Sequence, residues 1–139
     1  MKRILAVLPI LALMACNDHH HDETEADRVG VASECVDTLD CPIYVLPDLE
    51  PQQMVCLSAF AGGYCGVENC LHNADCPDGS VCVAHTDGVN YCFRACIDKS
   101  ECNWNRSSEN AANCSSSFEW AVPSESDKRK ACIPPSSGR

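Results

Sequence analysis

CLHNADC, at residues 70–76, is the stretch on which the reading of this chain turns. The same seven-residue frame stands at 35–41 as CVDTLDC and at 96–102 as CIDKSEC. Each copy has five residues between two cysteines, an apolar residue after the first (Val36, Leu71, Ile97) and an acid before the second (Asp40, Asp75, Glu101). Two further cysteines follow each frame. Three sets of four result: Cys35, Cys41, Cys56, Cys65; then Cys70, Cys76, Cys82, Cys92; then Cys96, Cys102, Cys114, Cys132. Proline follows the second cysteine in two units (Pro42, Pro77), and tyrosine precedes the fourth in two (Tyr64, Tyr91). Fixed spacing with matching side chains marks an internal repeat.

The middle unit is the most compact. Pro77-Asp78-Gly79 signals a turn. SVCVAH (80–85) and VNYCF (89–93) are short β segments around a second turn at Thr86-Asp87-Gly88, which predicts a hairpin with Cys82 on one arm and Cys92 on the other. The strap 70–76 is expected to cross it with Leu71 pointing inward, and the acid before each second cysteine to hydrogen-bond a backbone turn. A lone hairpin is marginal in water, so bridges must hold it. The fold class that follows is small and disulfide-rich. It has three tandem four-cysteine modules (35–69, 70–95, 96–139), short β-hairpins, little helix and no large core. The first and third modules carry insertions at 42–55, 103–113 and 115–131.

Four cysteines allow three pairings, and the spacing alone leaves them open. The pattern C-x5-C-x5-C-x9-C resembles the colipase-like module of Dickkopf proteins and colipase, and also cysteine-rich repeats of myxobacterial-type envelope lipoproteins. That resemblance covers about two-thirds of the chain. It implies first-to-third and second-to-fourth pairing: Cys35–Cys56, Cys41–Cys65, Cys70–Cys82, Cys76–Cys92, Cys96–Cys114 and Cys102–Cys132.

The thirteenth cysteine, Cys16, sits behind an apolar leader. Lys2 and Arg3 form a positive start, and Ile4 to Leu13 is apolar apart from Pro9. The run is shorter than the about 20 apolar residues a bilayer needs, so residues 1–15 read as a signal peptide. Leu13-Met14-Ala15-Cys16 resembles the lipobox of bacterial lipoproteins. The resemblance implies a lipid thioether on Cys16, cleavage before it, and attachment to a membrane through two or three acyl chains, enough for a stable anchor. Asn17 in place of Asp directs the expectation to the outer membrane of a bacterial envelope.

Without Lys2 and Arg3, 8 basic side chains face 20 acidic ones, a net charge of −12. That argues against nucleic acid as a partner, which needs a basic footprint, and against adsorption to anionic lipid faces by charge, so the acyl chains would have to hold the protein. Thirteen cysteines in 139 residues and few aromatics place stability in cross-links, which an oxidising compartment permits. Residues 16–34 comprise the lipidated Cys16 and an acidic stretch without apolar period, expected to be a disordered tether with a mean reach of about 25 Å.

His19, His20 and His21, flanked by Asp18 and Asp22, can hold Zn²⁺, Cu²⁺ or Ni²⁺ weakly. No other cofactor is implied. The twelve module cysteines lack the short knuckle spacing of structural zinc sites and read as disulfides. No catalytic motif stands in the sequence, so the chain is expected to be no enzyme. Phe118 and Trp120, two apart in the insertion 115–131, form a candidate contact patch or fold back over the core. The leading expectation is a lipid-anchored envelope protein whose stapled modules bind another envelope protein or a surface glycan, or act as a spacer. The rivals are metal handling through His19–His21 and a secreted protease inhibitor.

Overall fold

The computed structural model describes residues 22–137, so Cys16 and His19–His21 lie outside the described residues. Among the described residues are five 3-10 turns, nine short strands and one α-helical turn: α1 (Glu25–Arg28), β1 (Ile43–Tyr44), β2 (Gln52–Gln53), β3 (Val55–Cys56), β4 (Cys65–Glu68), β5 (Ser80–Ala84), β6 (Asn90–Cys96), β7 (Asn113–Ser115), β8 (Glu119–Trp120) and β9 (Lys130–Ile133). All pairings are antiparallel. β1 and β2 pair with each other, and the remaining strands join in one sheet in the order β3-β4-β6-β5-β8, with β9 bridging β6 and β7.

The hairpin of the middle unit is β5–β6, with Cys82 directly opposite Cys92. The other modules repeat this register. Cys56 faces Cys65 across β3–β4, and Cys114 faces Cys132 across β7–β9. The third and fourth cysteines of every module thus stand side by side on neighbouring strands. The strap reaches over both: its first cysteine bonds the third and its second bonds the fourth, in all three modules.

Each strap is locked by its acid. The Asp40 carboxylate accepts the Val36 and Asp37 N–H groups, at 2.7 and 3.1 Å. Asp75 accepts Leu71 and His72, both at 2.8 Å, and Glu101 accepts Ile97 at 2.6 Å. Turning these N–H groups onto a carboxylate sends the side chains the other way. Leu71 therefore points outward, 67% exposed, and Val36 and Ile97 do the same. The expectation that Leu71 points inward is corrected: the hydrogen bond, not apolarity, sets its direction.

The modules do not hang as separate beads. The join at 66–69 lies largely in β4 and the join at 93–95 lies within β6, which pairs with β4, β5 and β9 in turn. A small core is shared between modules. Phe60 and Tyr64 of the first meet Phe93 of the second edge-on, at 5.5 and 5.2 Å between centroids, and all three rings are fully buried. Aromatic edge-to-face pairs add about 1 kcal/mol each beyond area burial.

The main departure from expectation is at the amino-terminal end. A disordered tether running to residue 34 is not what the structure has. Thr24 caps α1, exchanging hydrogen bonds with Asp27, and Ala26, Val29, Val31 and Ala32 are buried. Ala26 N–H donates to Asp78 O at 2.7 Å, Ala32 N–H to Cys65 O at 3.0 Å and Glu34 N–H to Asn105 O at 3.1 Å. One segment thus touches all three modules, as a clasp. A four-residue helix is far below the length that is stable alone; the modules hold it. Gly79, at φ +86°, lies where it docks, and a Cβ there would run into Thr24.

The insertions are the other ties. Arg106, in 103–113, donates to four carbonyls: Ala32, Ala61, Gly63 and Asn110, at 2.7 to 2.9 Å. Glu125, in 115–131, accepts from His72 Nδ1 and Asn73 N–H of the second strap, both at 2.8 Å. Arg106→Ala leaves four carbonyls short of a donor and is expected to cost about 3 kcal/mol in denaturant unfolding. Arg106→Lys should recover little, because an ammonium lacks the planar fork. An unchanged midpoint for Arg106→Ala would remove its role as a tie.

Acid should loosen the straps. Backbone hydrogen bonds hold Asp40 and Glu125 below the usual carboxylate range, and hydrogen bonds from Ser100 do the same for Asp98. A depressed folded pKa contributes stability above the unfolded value and loses it as pH falls through the folded one. The thermal midpoint should therefore hold at neutral pH and fall below about pH 4. Scanning calorimetry across that range checks it; a midpoint that rises on acidification would contradict it.

Candidate functional site

Arg94 on β6 is one of two buried polar or charged side chains among the described residues, 6% exposed. A buried guanidinium needs partners on every edge. Its Nε donates to Asp27 Oδ1 at 2.7 Å and its Nη2 meets the same oxygen. Its Nη1 donates to the Glu101 carbonyl. Its plane lies 4.7 Å from the centre of the Trp104 ring, a cation–π stack. Its own N–H donates to the Tyr64 hydroxyl at 3.1 Å, and burial pushes that phenol up.

Burial alone would raise the Asp27 carboxyl. The Thr24 hydrogen bonds and the Arg94 charge outweigh it and hold the group below its ordinary value. Asp27 is therefore the anionic half of an ion pair between the clasp and the central strand.

A cleft of about 670 Å³ opens over this pair, within the size range of ligand sites. Arg94 and Asp27 line it together with Glu23, Thr24, Ile97 and Trp104. Trp104 is 66% exposed and Ile97 60%. Asp98 and Glu101 also line it; each has one oxygen held by strap N–H groups, Asp98 Oδ1 by Ser100 and Glu101 Oε2 by Ile97. A second, shallower hollow adjoins it through Cys96 and Ile97 and is lined by Asp127, Lys128, Arg129 and Lys130. Apolar groups stand proud in this region, with charges of both signs around them.

The residues singled out from sequence fall elsewhere. Phe118 and Trp120 are half-buried, 5.2 Å apart between ring centres, and pack against the core. Trp120 stands opposite Val83 on the outer edge of β5. They fold back rather than form an open contact patch, because β8 needs a strand to pair with and β5 offers its free edge. The module sulfurs gather in three triads within 4.8 Å, such as Cys70, Cys76 and Cys92. Each sulfur is in a disulfide, which offers no thiolate to a metal. Both histidines of the folded part hold structure. His72 bonds Glu125, and His85 packs edge-on against Phe60 and Tyr91. The Tyr91 phenol, buried and donating to Asp87 at 3.0 Å, is pushed up to about 12.

Asp27, Arg94 and Trp104 belong to no repeat or motif in the sequence. One signal was there to find: Thr24 three residues before Asp27, with Ala26, Val29 and Val31 behind it, has the form of a capped helical turn with something to bury.

No protein-family model, curated protein or solved structure matches the chain. The site stands on its own chemistry.

Asp27→Ala should strand the Arg94 charge and cost about 3 kcal/mol. Asp27→Leu with Arg94→Met, which removes both charges, should cost clearly less. Denaturant unfolding of the three proteins checks this; equal losses would mean that the pairing of the charges is not what matters.

Proposed function

We propose that the chain is a non-enzymatic, lipid-anchored protein of a bacterial envelope, whose stapled body is displayed as a binding or spacer unit. The carrying observation is one of parity. The described residues hold twelve of the thirteen cysteines, and all twelve are paired in six bridges. The odd cysteine is Cys16, the last residue of the lipobox-like Leu13-Met14-Ala15-Cys16. Six bridges in a chain of this size fit an exported protein in an oxidising compartment. Partners of the kind expected from sequence, an envelope protein or a surface glycan, fit an acidic body with exposed apolar groups on its straps, such as Val36, Leu39 and Leu71. The outer membrane, suggested by Asn17, is the proposed address.

The folded clasp shortens the spacer. From Cys16 to Asp22 is six residue steps, a reach of at most about 21 Å. A body so anchored is held close to its membrane.

Fractionation of cells tests the reading. The wild type is expected in the outer-membrane fraction and extractable by detergent, with a mass starting at Cys16 plus acyl groups. Cys16→Ser should move the protein to the soluble fraction or leave an uncleaved precursor. A wild type recovered unacylated from the soluble fraction would overturn the proposal.

A further inference from the structure

We infer that the face around the Trp104 cleft is a bilayer-docking surface, laid against the headgroups of the membrane to which Cys16 is attached. The inference rests on the anchored reading above and adds an orientation to it.

The place where the described chain begins sets the orientation. Glu23 and Thr24 line the cleft, so Asp22, to which the chain from Cys16 is joined, adjoins it. With a reach of at most about 21 Å from Cys16 to Asp22, this is the side of the body that the anchor holds nearest the lipid.

The side chains on that face suit an interface. Trp104 presents an indole, a ring enriched where water meets hydrocarbon, and Ile97 stands exposed beside it. The Arg94 guanidinium, itself on β6, backs the Trp104 ring at 4.7 Å, so the ring is already supported before docking.

Charge is distributed in the same sense. Of the seven basic side chains in residues 22–137, Arg94 and Arg106 are spent inside the fold. Four of the other five are at this face. Lys128, Arg129 and Lys130 line the adjoining hollow, and Lys99 stands between Asp98 and Ser100, which line the cleft. Against them stand Glu23, Asp98, Glu101 and Asp127, with Asp22 next to Glu23, so the face carries about −1 while the mature chain as a whole carries −12. Repulsion from anionic headgroups falls off within a Debye length. Docking by this face keeps the excess acids farthest from them.

Depth-dependent quenching tests the inference on the full acylated protein. Trp120→Phe leaves Trp104 as the single tryptophan of the two. The protein is reconstituted into phosphatidylcholine–phosphatidylglycerol vesicles with or without bromine on the acyl chains. Bromine should cause a loss of Trp104 emission. Lys128→Glu with Lys130→Glu should restore the emission while the protein still sediments with the vesicles. If Trp120→Phe fails to fold, the wild type is compared with Trp104→Phe, because Trp120 lies 5.8 Å from Arg129 and carries an emission of its own; a bromine effect equal in the two proteins overturns the inference. Protein that sediments with vesicles but shows no bromine effect overturns the inference and leaves the anchored reading standing. Protein that stays in the supernatant overturns both. A Trp104 emission that answers to soluble oligosaccharide and not to brominated lipid overturns it in favour of a ligand cleft.

Discussion

The ion pair between Asp27 and Arg94 is the contact on which the assembly of the molecule depends. Arg94 is on the one strand that all three modules share, and Asp27 is on the segment that reaches all three. Neither group could be buried alone, since an unpaired internal charge costs several kcal/mol. The pair therefore does more than attract: it makes the docked position of the clasp the one in which both charges are satisfied. Thr24, Trp104 and the Glu101 carbonyl complete the shell. Clasp, second module and third module meet at that point.

The repeat and the insertions have different tasks. The repeated parts build each module on its own: two antiparallel strands with facing cysteines, a strap, and an acid that fixes the strap through its first N–H groups. This is local and identical in kind three times over. The insertions do what a repeat cannot, since they join unlike neighbours. Arg106 ties the third module to the first and to the clasp. Glu125 and β8 tie it to the second. The insertions hold the modules together, so removing one to obtain a more regular module would loosen the whole.

The modules were legible in the sequence because their signal is short-range and periodic. The five-residue gap, the acid at Asp75 and the turn at Thr86-Asp87-Gly88 each dictate structure within a few residues of themselves. The fold class follows from them directly. The clasp was not legible, because its few apolar residues, Ala26, Val29 and Val31, are scattered among acids and are buried through docking on the modules, as where Ala26 N–H meets Asp78 O, 52 residues away. The direction of Leu71 was misread for a related reason: apolarity suggested burial, and a hydrogen bond to Asp75 decided otherwise. The cleft was hidden because its floor pairs residues 67 apart. Its exposed ring lies in an insertion, where no spacing rule applies.

The facing of the third and fourth cysteines across each strand pair bears on how the chain acquires its bridges. Cys82 and Cys92 are brought opposite each other as soon as β5 meets β6, before any strap need be in place. The loop between them is shorter than either loop that the native bridges close, and short loops close at the least entropic cost. The wrong bond is thus the nearest one during oxidation. The same crowding supplies the remedy. In each module three sulfurs lie within 4.8 Å of one another, so a thiolate at one cysteine can attack a neighbouring disulfide without the backbone travelling far. Reshuffling of this kind needs a free thiolate to begin it, so oxidation in the presence of a small thiol favours the native set of bridges.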